Sequence, residues 1–252
     1  MLALEGKSII VTGGGSGIGR ATALLLGEAG AGVTVADRNP KSADAVATEI
    51  VRAGGRAEAI AADVRFEADA EAIVDRAVSV FGELNGAANC AGYPQHTEQV
   101  HNLTLDQWRD CIDINLTGVF LCVKYQLRAM LNSGGGSIVV VSSTAATRGF
   151  PLASEYAASK SGLLGFVRCV AYEYGKQGIR VNAVLPGGTD TPMLRGKMDE
   201  TPGLEELISA QHLLGRFAQP QELGTAIRWL LSEEASFVTG IVMPVDGGQT
   251  AG

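Results

Sequence analysis

Ser8-Ile-Ile-Val-Thr12-Gly13-Gly14-Gly15-Ser16-Gly17-Ile18-Gly19 is the stretch whose reading decides the fold. Residues 8–12 form a β-branched run that reads as a buried strand. The glycine cluster then opens a helical pattern over 17–30, with Ala21, Leu24, Leu25 and Glu28 ahead of a closing glycine. Glycines at a strand–loop–helix junction let the backbone turn tightly and approach a pyrophosphate, which the free N–H groups of the helix N-terminus stabilise. A glycine cluster alone is weak, because many are simply loops. Here an acidic residue, Asp37, ends the second β-branched run (33–37), about twenty positions further on. A carboxylate there can accept hydrogen bonds from an adenosine ribose and would repel a 2′-phosphate.

Outward from this stretch the chain alternates short β runs with longer helical patterns. Further strands are predicted over 57–62, 84–88, 138–141, 179–185 and 241–245. Helices are predicted over 41–53, around 73–81, over 105–131 behind the N-cap Thr104, over a segment that carries Tyr156 and Lys160 and ends near Gly178, and over 221–231. Residues 188–215 read as irregular. No repeat, linker or low-complexity tract interrupts the order. The alternation predicts a single α/β domain over 1–252, with a doubly wound, mainly parallel seven-stranded sheet and helices on both faces.

Composition narrows the function classes. With 20 Lys and Arg against 27 Asp and Glu, the formal charge is −7, and no basic run occurs. A nucleic-acid partner held through phosphates and an anionic membrane surface are therefore not expected. Cys90, Cys111, Cys122 and Cys169 form no Cys-x-x-Cys pair, and His96, His101 and His212 lack metal-ligand spacing. The expectation is buried free thiols in a reducing cytosol and no metal site. No basic region followed by a long apolar run opens the chain, and no run of about 18 apolar residues occurs, so a cytoplasmic protein without signal peptide or membrane span is expected.

Tyr156 and Lys160, four residues apart in a helical segment, leave the same face. An ammonium beside a phenol favours the phenolate, which would pull the tyrosine pKa down from about 10 and make a proton donor and acceptor near neutral pH. Alone, such a pair is commonplace on helix surfaces. Its neighbours in the chain give it weight.

The glycine spacing, Gly13-x-x-x-Gly17-x-Gly19 behind Thr12, differs from the usual G-x-G-x-x-G and resembles that of the short-chain dehydrogenase/reductase family. The resemblance runs essentially the whole length. Its further motifs are Asp63-Val64, Asn89-Cys90-Ala91-Gly92, Asn115 within Asp113-Ile-Asn-Leu-Thr-Gly118, Ser143 thirteen residues before Tyr156, Lys160, Pro186-Gly187 with Thr191, and Val245-Asp-Gly-Gly248. Cys90 departs from the pattern, where the family often has asparagine.

The resemblance implies a Rossmann-like fold and hydride transfer between a nicotinamide and a carbinol or carbonyl carbon. It implies Tyr156 as acid and base, Lys160 holding the nicotinamide ribose and lowering the Tyr156 pKa, Ser143 (with Ser142 as competitor) holding the substrate oxygen, and Asn115 holding a water that relays protons from Lys160. Its implied cofactor contacts are Gly13, Ser16, Gly17, Ile18, Gly19, Asp37, Arg38, Asp63, Val64, Asn89, Ala91, Gly92, Tyr156, Lys160, Pro186, Gly187, Thr189 and Thr191. Asp37 favours NAD over NADP; Arg38 is the counter-indication, since a guanidinium can pair with a 2′-phosphate.

The family's substrate flap would lie around 188–215, with Met193, Leu194 and Met198 as an adaptable apolar roof. Pro94, His96, Ala145, Thr147 and Tyr156 would share the substrate space. No basic residue obviously awaits a carrier phosphate, so a small neutral, cyclic secondary alcohol or ketone is expected, and the wording around 120–126, 191–194 and 235–240 is similar to bacterial alicyclic-diol and dihydrodiol dehydrogenases. The rival readings are an NADPH-dependent 3-oxoacyl-carrier-protein reductase and a non-catalytic nucleotide-sensing protein. Apolar residues around the 105–131 and 154–176 helices, among them Trp108, Val119, Phe120, Val123, Met130, Leu163, Phe166, Val167 and Val170, exceed what a core needs, and a homotetramer resembles the family habit.

Overall fold

The computed structural model describes residues 4–200 and 203–251. The first strand, β1 (Ser8–Thr12), is buried throughout and leads through the glycine loop into α1 (Gly17–Glu28). Then come β2 (Gly32–Asp37), α2 (Pro40–Arg52), β3 (Arg56–Ala61), α3 (Glu67–Phe81) and β4 (Gly86–Asn89). The second half runs α4 (Leu105–Ile112), α5 (Gly118–Asn132), β5 (Gly136–Val141), α6 (Ser154–Tyr174), β6 (Ile179–Pro186), α7 (Pro192–Glu200), α8 (Leu204–Ser209), α9 (Pro220–Leu231) and β7 (Val242–Val245).

The seven strands lie in the order β3-β2-β1-β4-β5-β6-β7. Every pairing is parallel, including the last strand. Strands buried on both faces account for the near-continuous apolar runs in the sequence. One face packs on α3, α5 and α6 around Ile10, Val123, Ile138 and Leu163. The other packs on α1, α2 and α9 around Leu26, Val46, Ile50 and Leu223. The chain steps outward from β1 to β3, then returns to place β4 on the other side of β1. In a doubly wound sheet that reversal is where a ligand crevice lies, at the carboxyl ends of the strands.

One expectation is refined here and one is corrected. The predicted helical stretch over 105–131 is found, and it holds one unforeseen feature: residues Asp113–Thr117 form a π-turn between α4 and α5. Its N-terminus is as expected, with Thr104 Oγ1 accepting from the Gln107 N–H and Gln107 reaching back to the Thr104 N–H. The 188–215 stretch is not irregular but carries α7 and α8; its mixed polarity reflects short helices lying on the surface with only one side against the body.

Candidate active site

Backbone geometry builds the crevice. Gly13 has φ +63°, and a Cβ there would meet the Ala91 backbone at 2.8 Å. The two loops at the sheet reversal thus touch with no side chain between them. A Cβ on Gly19 would fall 2.1 Å from the Gly13 carbonyl oxygen, so only glycine lets α1 start under that loop. Ser16, the residue before α1, makes no side-chain cap and is exposed. The first-turn N–H groups therefore remain available to an anion.

Asp37 closes the crevice at the end of β2. Its Oδ2 accepts the Gly15 N–H at 3.0 Å and its Oδ1 the Asn39 N–H at 2.9 Å, so the carboxylate is fixed beside the glycine loop. Beyond it lies a cavity of ≈ 640 Å³ lined by Arg38, Asn39, Pro40, Ala61, Ala62, Asp63, Arg65 and Asp69. Its dimensions and its place beyond Asp37 fit the adenosine half of a dinucleotide. Arg65 pairs with Asp63 at 2.6 Å and holds that carboxyl below its ordinary range, and the Asp63 N–H donates to Asp69. Val64 packs instead into the core under α5, against Gly118.

Asn89, at the end of β4, is anchored in the body of the protein. Its amide faces Gln126 of α5 in a reciprocal pair, Nδ2 to Oε1 at 2.9 Å and Nε2 to Oδ1 at 3.0 Å, buried on both sides. The side chain ties β4 to α5. Gln126 has no sequence signal beyond being a polar residue on an apolar helix face. Burial pushes the Cys90 thiol up to about 12, which leaves it neutral beside the loop. The expectation of buried thiols holds for Cys111 and Cys122 but not for Cys169, which is exposed on α6.

Tyr156 and Lys160 rise from the first turns of α6. Lys160 Nζ stands 5.7 Å from the Tyr156 ring centroid and donates to the Val141 carbonyl at the end of β5, at 3.0 Å. It is buried, 4 % exposed, and burial lowers its pKa from 10.5 to about 8. Burial also pushes the Tyr156 phenol up, while the adjacent Ser143 hydroxyl pulls it down. The expected lowering is thus not what the protein alone displays: loss of hydration at the phenol is the larger effect. Ser143 is half-buried, its Oγ accepting the Ala145 N–H. Ser142 is excluded as its competitor, because it is buried and donates to the Lys160 carbonyl at 2.9 Å.

Asn115 sits in the π-turn and is fully buried. Such turns displace a side chain from the regular helical ladder. Its Oδ1 accepts the Tyr93 N–H at 2.7 Å, and its Nδ2 donates to the Tyr93 carbonyl at 3.0 Å. The amide therefore clamps the loop after β4. A Cβ on Gly92 would lie 3.4 Å from Asn115 Oδ1 and 3.6 Å from Lys160 Nζ, so the bare glycine fills the gap between them.

The loop after β6 brings the remaining residues. Thr191 packs its methyl over Gly17 and caps the α7 start through Oγ1. Buried Thr189 donates to the Gly187 carbonyl. His212, which no spacing singled out, pins this loop: its Nε2 accepts the Gly188 N–H at 2.9 Å, and its Nδ1 lies 2.8 Å from the Ile208 carbonyl. Met193 is exposed, and Leu194 and Met198 are half-buried. Among the described residues no group of His, Cys, Asp and Glu could hold a metal, and no helix is long and apolar enough to cross a membrane.

Comparison with known proteins places this arrangement. A family model described as enoyl-(acyl carrier protein) reductase matches residues 13–250. A 2,5-dichloro-2,5-cyclohexadiene-1,4-diol dehydrogenase of Sphingobium indicum is 47 % identical over 249 residues, 98 % of each chain. A cyclohexanol dehydrogenase of an Acinetobacter species is 41 % identical over 245 residues, covering 97 % of this chain and 95 % of that one. The solved structure of a levodione reductase superposes with a TM-score of 0.94 at 33 % identity over 98 % of both chains. The alicyclic-dehydrogenase likeness expected from the sequence is found, and the chain is an oxidoreductase of a kind that uses NAD(P). It is a member of the short-chain dehydrogenase/reductase family.

Proposed function

We propose that the protein catalyses NAD(H)-dependent interconversion of a small, neutral cyclic secondary alcohol and its ketone. The observation that carries this reading is the convergence of Ser143, Tyr156 and Lys160 on the crevice that Gly13, Asp37 and the loop after β4 delimit. The relatives that act on a cyclohexadiene-diol and on cyclohexanol support the substrate class.

The bound nicotinamide supplies the hydride acceptor or donor. Ser143 donates a hydrogen bond to the substrate oxygen and steadies its developing charge. Tyr156 takes the hydroxyl proton in oxidation and returns it in reduction. Lys160 would hold the nicotinamide ribose through its ammonium, and that positive charge beside the Tyr156 ring favours the phenolate. Asn115 keeps the wall of the site in place through Tyr93. Asp37 opposes a 2′-phosphate, which favours NAD; Arg38, exposed beside it, is free to lie along the adenine instead.

We infer a homotetramer as well. Of the apolar residues on the two long helices, Val119, Val123, Met130, Leu163, Val167 and Val170 are core, whereas Trp108, Phe120 and Leu131 are exposed. Phe120, Leu127, Leu131 and Phe166 line a surface groove between α5 and α6. Light scattering at micromolar concentration should give four chains; a monomer overturns the assembly. The free thiols fit a cytoplasmic location.

Tyr156→Phe tests the chemistry. It keeps the ring's packing and removes the proton, so NAD binding should persist and turnover of cyclohexanol should fall by more than about a hundredfold. Near-normal turnover removes Tyr156 from the mechanism.

A further inference from the structure

Beyond β7, residues 246–250 form a turn that Asp246 organises. Its Oδ1 accepts the Gly248 N–H at 3.0 Å, and its Oδ2 accepts the Thr250 N–H at 2.9 Å and the Thr250 hydroxyl at 2.6 Å. A carboxylate bonded three times to its own turn fixes the residues between. One of these is Gln249, only 5 % exposed. A buried primary amide costs stability unless both of its ends are bonded. Here the two ends are bonded to two distant parts of the chain. Oε1 accepts the Thr144 hydroxyl at 2.9 Å, across 105 residues, and Nε2 donates to Gln211 Oε1 at 3.0 Å, across 38. The Arg148 guanidinium also donates to the Gln249 backbone carbonyl.

Both partners border the site. Thr144 is buried and opens a single 3-10 turn, Thr144–Ala146, directly behind Ser143. The Ser143 carbonyl accepts the Ala146 N–H at 3.0 Å and its Oγ the Ala145 N–H, so Ser143 and Thr144 belong to one rigid turn. Gln211 precedes His212, which holds the Gly188 N–H of the loop after β6. That loop runs on to Thr191, whose methyl lies over Gly17 of the glycine loop. Ser143, which takes the substrate oxygen, and the loop that carries Gly187, Thr189 and Thr191 are thus joined through one amide. Glutamine suits the place because it accepts and donates at the same reach; a carboxylate has no donor and a thioether has neither group. We infer that Gln249 is a positioning residue for hydride transfer: its amide braces the Ser143 turn against the segment that pins the loop after β6, and so sets the substrate oxygen against the cofactor. This rests on the role given to Ser143 above.

Single turnovers of the intact protein, loaded with NAD and mixed with cyclohexanol or cyclohexane-1,4-diol, read hydride transfer as NADH absorbance; equilibrium dialysis reads NAD affinity. Gln249→Met should slow hydride transfer by about tenfold, the scale expected for a misplacement of about half an ångström. NAD affinity should be kept, because the Leu214 N–H still bonds the Gly247 carbonyl and His212 still holds Gly188. Thr144→Val and Gln211→Met each cut one end of the brace, so each should slow the step similarly. The variant carrying both should be no slower than the slower single one, since a brace already cut cannot be cut again. Two bonds that only stabilise the fold would instead act independently, and their effects would multiply. Thr144→Val keeps the side chain's shape and serves if Gln249→Met fails to fold. Hydride transfer at the wild-type rate in these variants, effects that multiply in the double variant, or NAD affinity that falls in step with the rate overturns the inference while the cyclic-alcohol reading stands. A folded wild type that takes hydride from neither alcohol overturns both.

Discussion

Replacing Lys160 by methionine should remove turnover and yet make the folded protein more stable at pH 7. The lysine is 4 % exposed, and burial depresses its pKa from 10.5 to about 8. Below pH 8 folding therefore confines an ammonium to a site that disfavours it, and the depression amounts to about 3 kcal/mol. Methionine fills a similar volume without charge. Against the gain stands the Nζ bond to the Val141 carbonyl, whose loss costs about 1 kcal/mol, so the net stabilisation is about 2 kcal/mol. The sign follows from proton counting. Between 10.5 and about 8 the unfolded chain binds a proton that the folded chain does not, so the lysine's burial costs nothing above 10.5 and its full amount below 8. Urea melts of the two proteins at pH 7 and pH 10, without cofactor, read this directly: the variant's advantage should be present at pH 7 and mostly gone at pH 10. Equal midpoints at both pH values, or an advantage that grows with pH, would refute the reasoning.

Asp37→Ser should raise the NADPH to NADH ratio of kcat/KM by about tenfold or more, because it removes the charge opposing a 2′-phosphate and leaves Arg38 beside it; an unmoved ratio assigns cofactor choice elsewhere. Gly19→Ala, whose Cβ would fall 2.1 Å from the Gly13 oxygen, should lose NAD affinity in equilibrium dialysis, and intact affinity would count against the glycine loop as the cofactor's seat. Asn89→Leu strands the buried Gln126 amide and should lower stability by about 1–3 kcal/mol in denaturant melts. With a thiol reagent at pH 8 the native protein should modify Cys169 quickly and Cys122 only on unfolding, since Cys122 is buried and burial holds its thiol near 12; peptide mapping that found Cys122 labelled first would contradict the burial.

The parallel sheet was legible because strands buried on both faces must be apolar throughout, and glycine loops and helix caps mark their ends by local chemistry. Thr104 and Gln107 announce a helix start from four residues alone. The π-turn at Asp113–Thr117 was not legible, since its cause is distant: Asn115 must reach Tyr93, twenty-two residues back in the chain. The same holds for the partner of the Asn89 amide, Gln126, which lies thirty-seven residues further along the chain.

The sequence by itself determined the alternation of strands and helices, the glycine loop followed by Asp37, and the tyrosine and lysine on one helix face, because each depends on periodicity or on a motif of fixed local geometry. Only the tertiary structure decided the electrostatics of that site. It turned the expected ammonium–phenolate pair into two desolvated groups, and it placed a buried carboxylate, Glu155, beneath His96. Desolvation depends on everything packed around a group, and the packing partners here come from strands and loops up to about sixty residues apart in the chain.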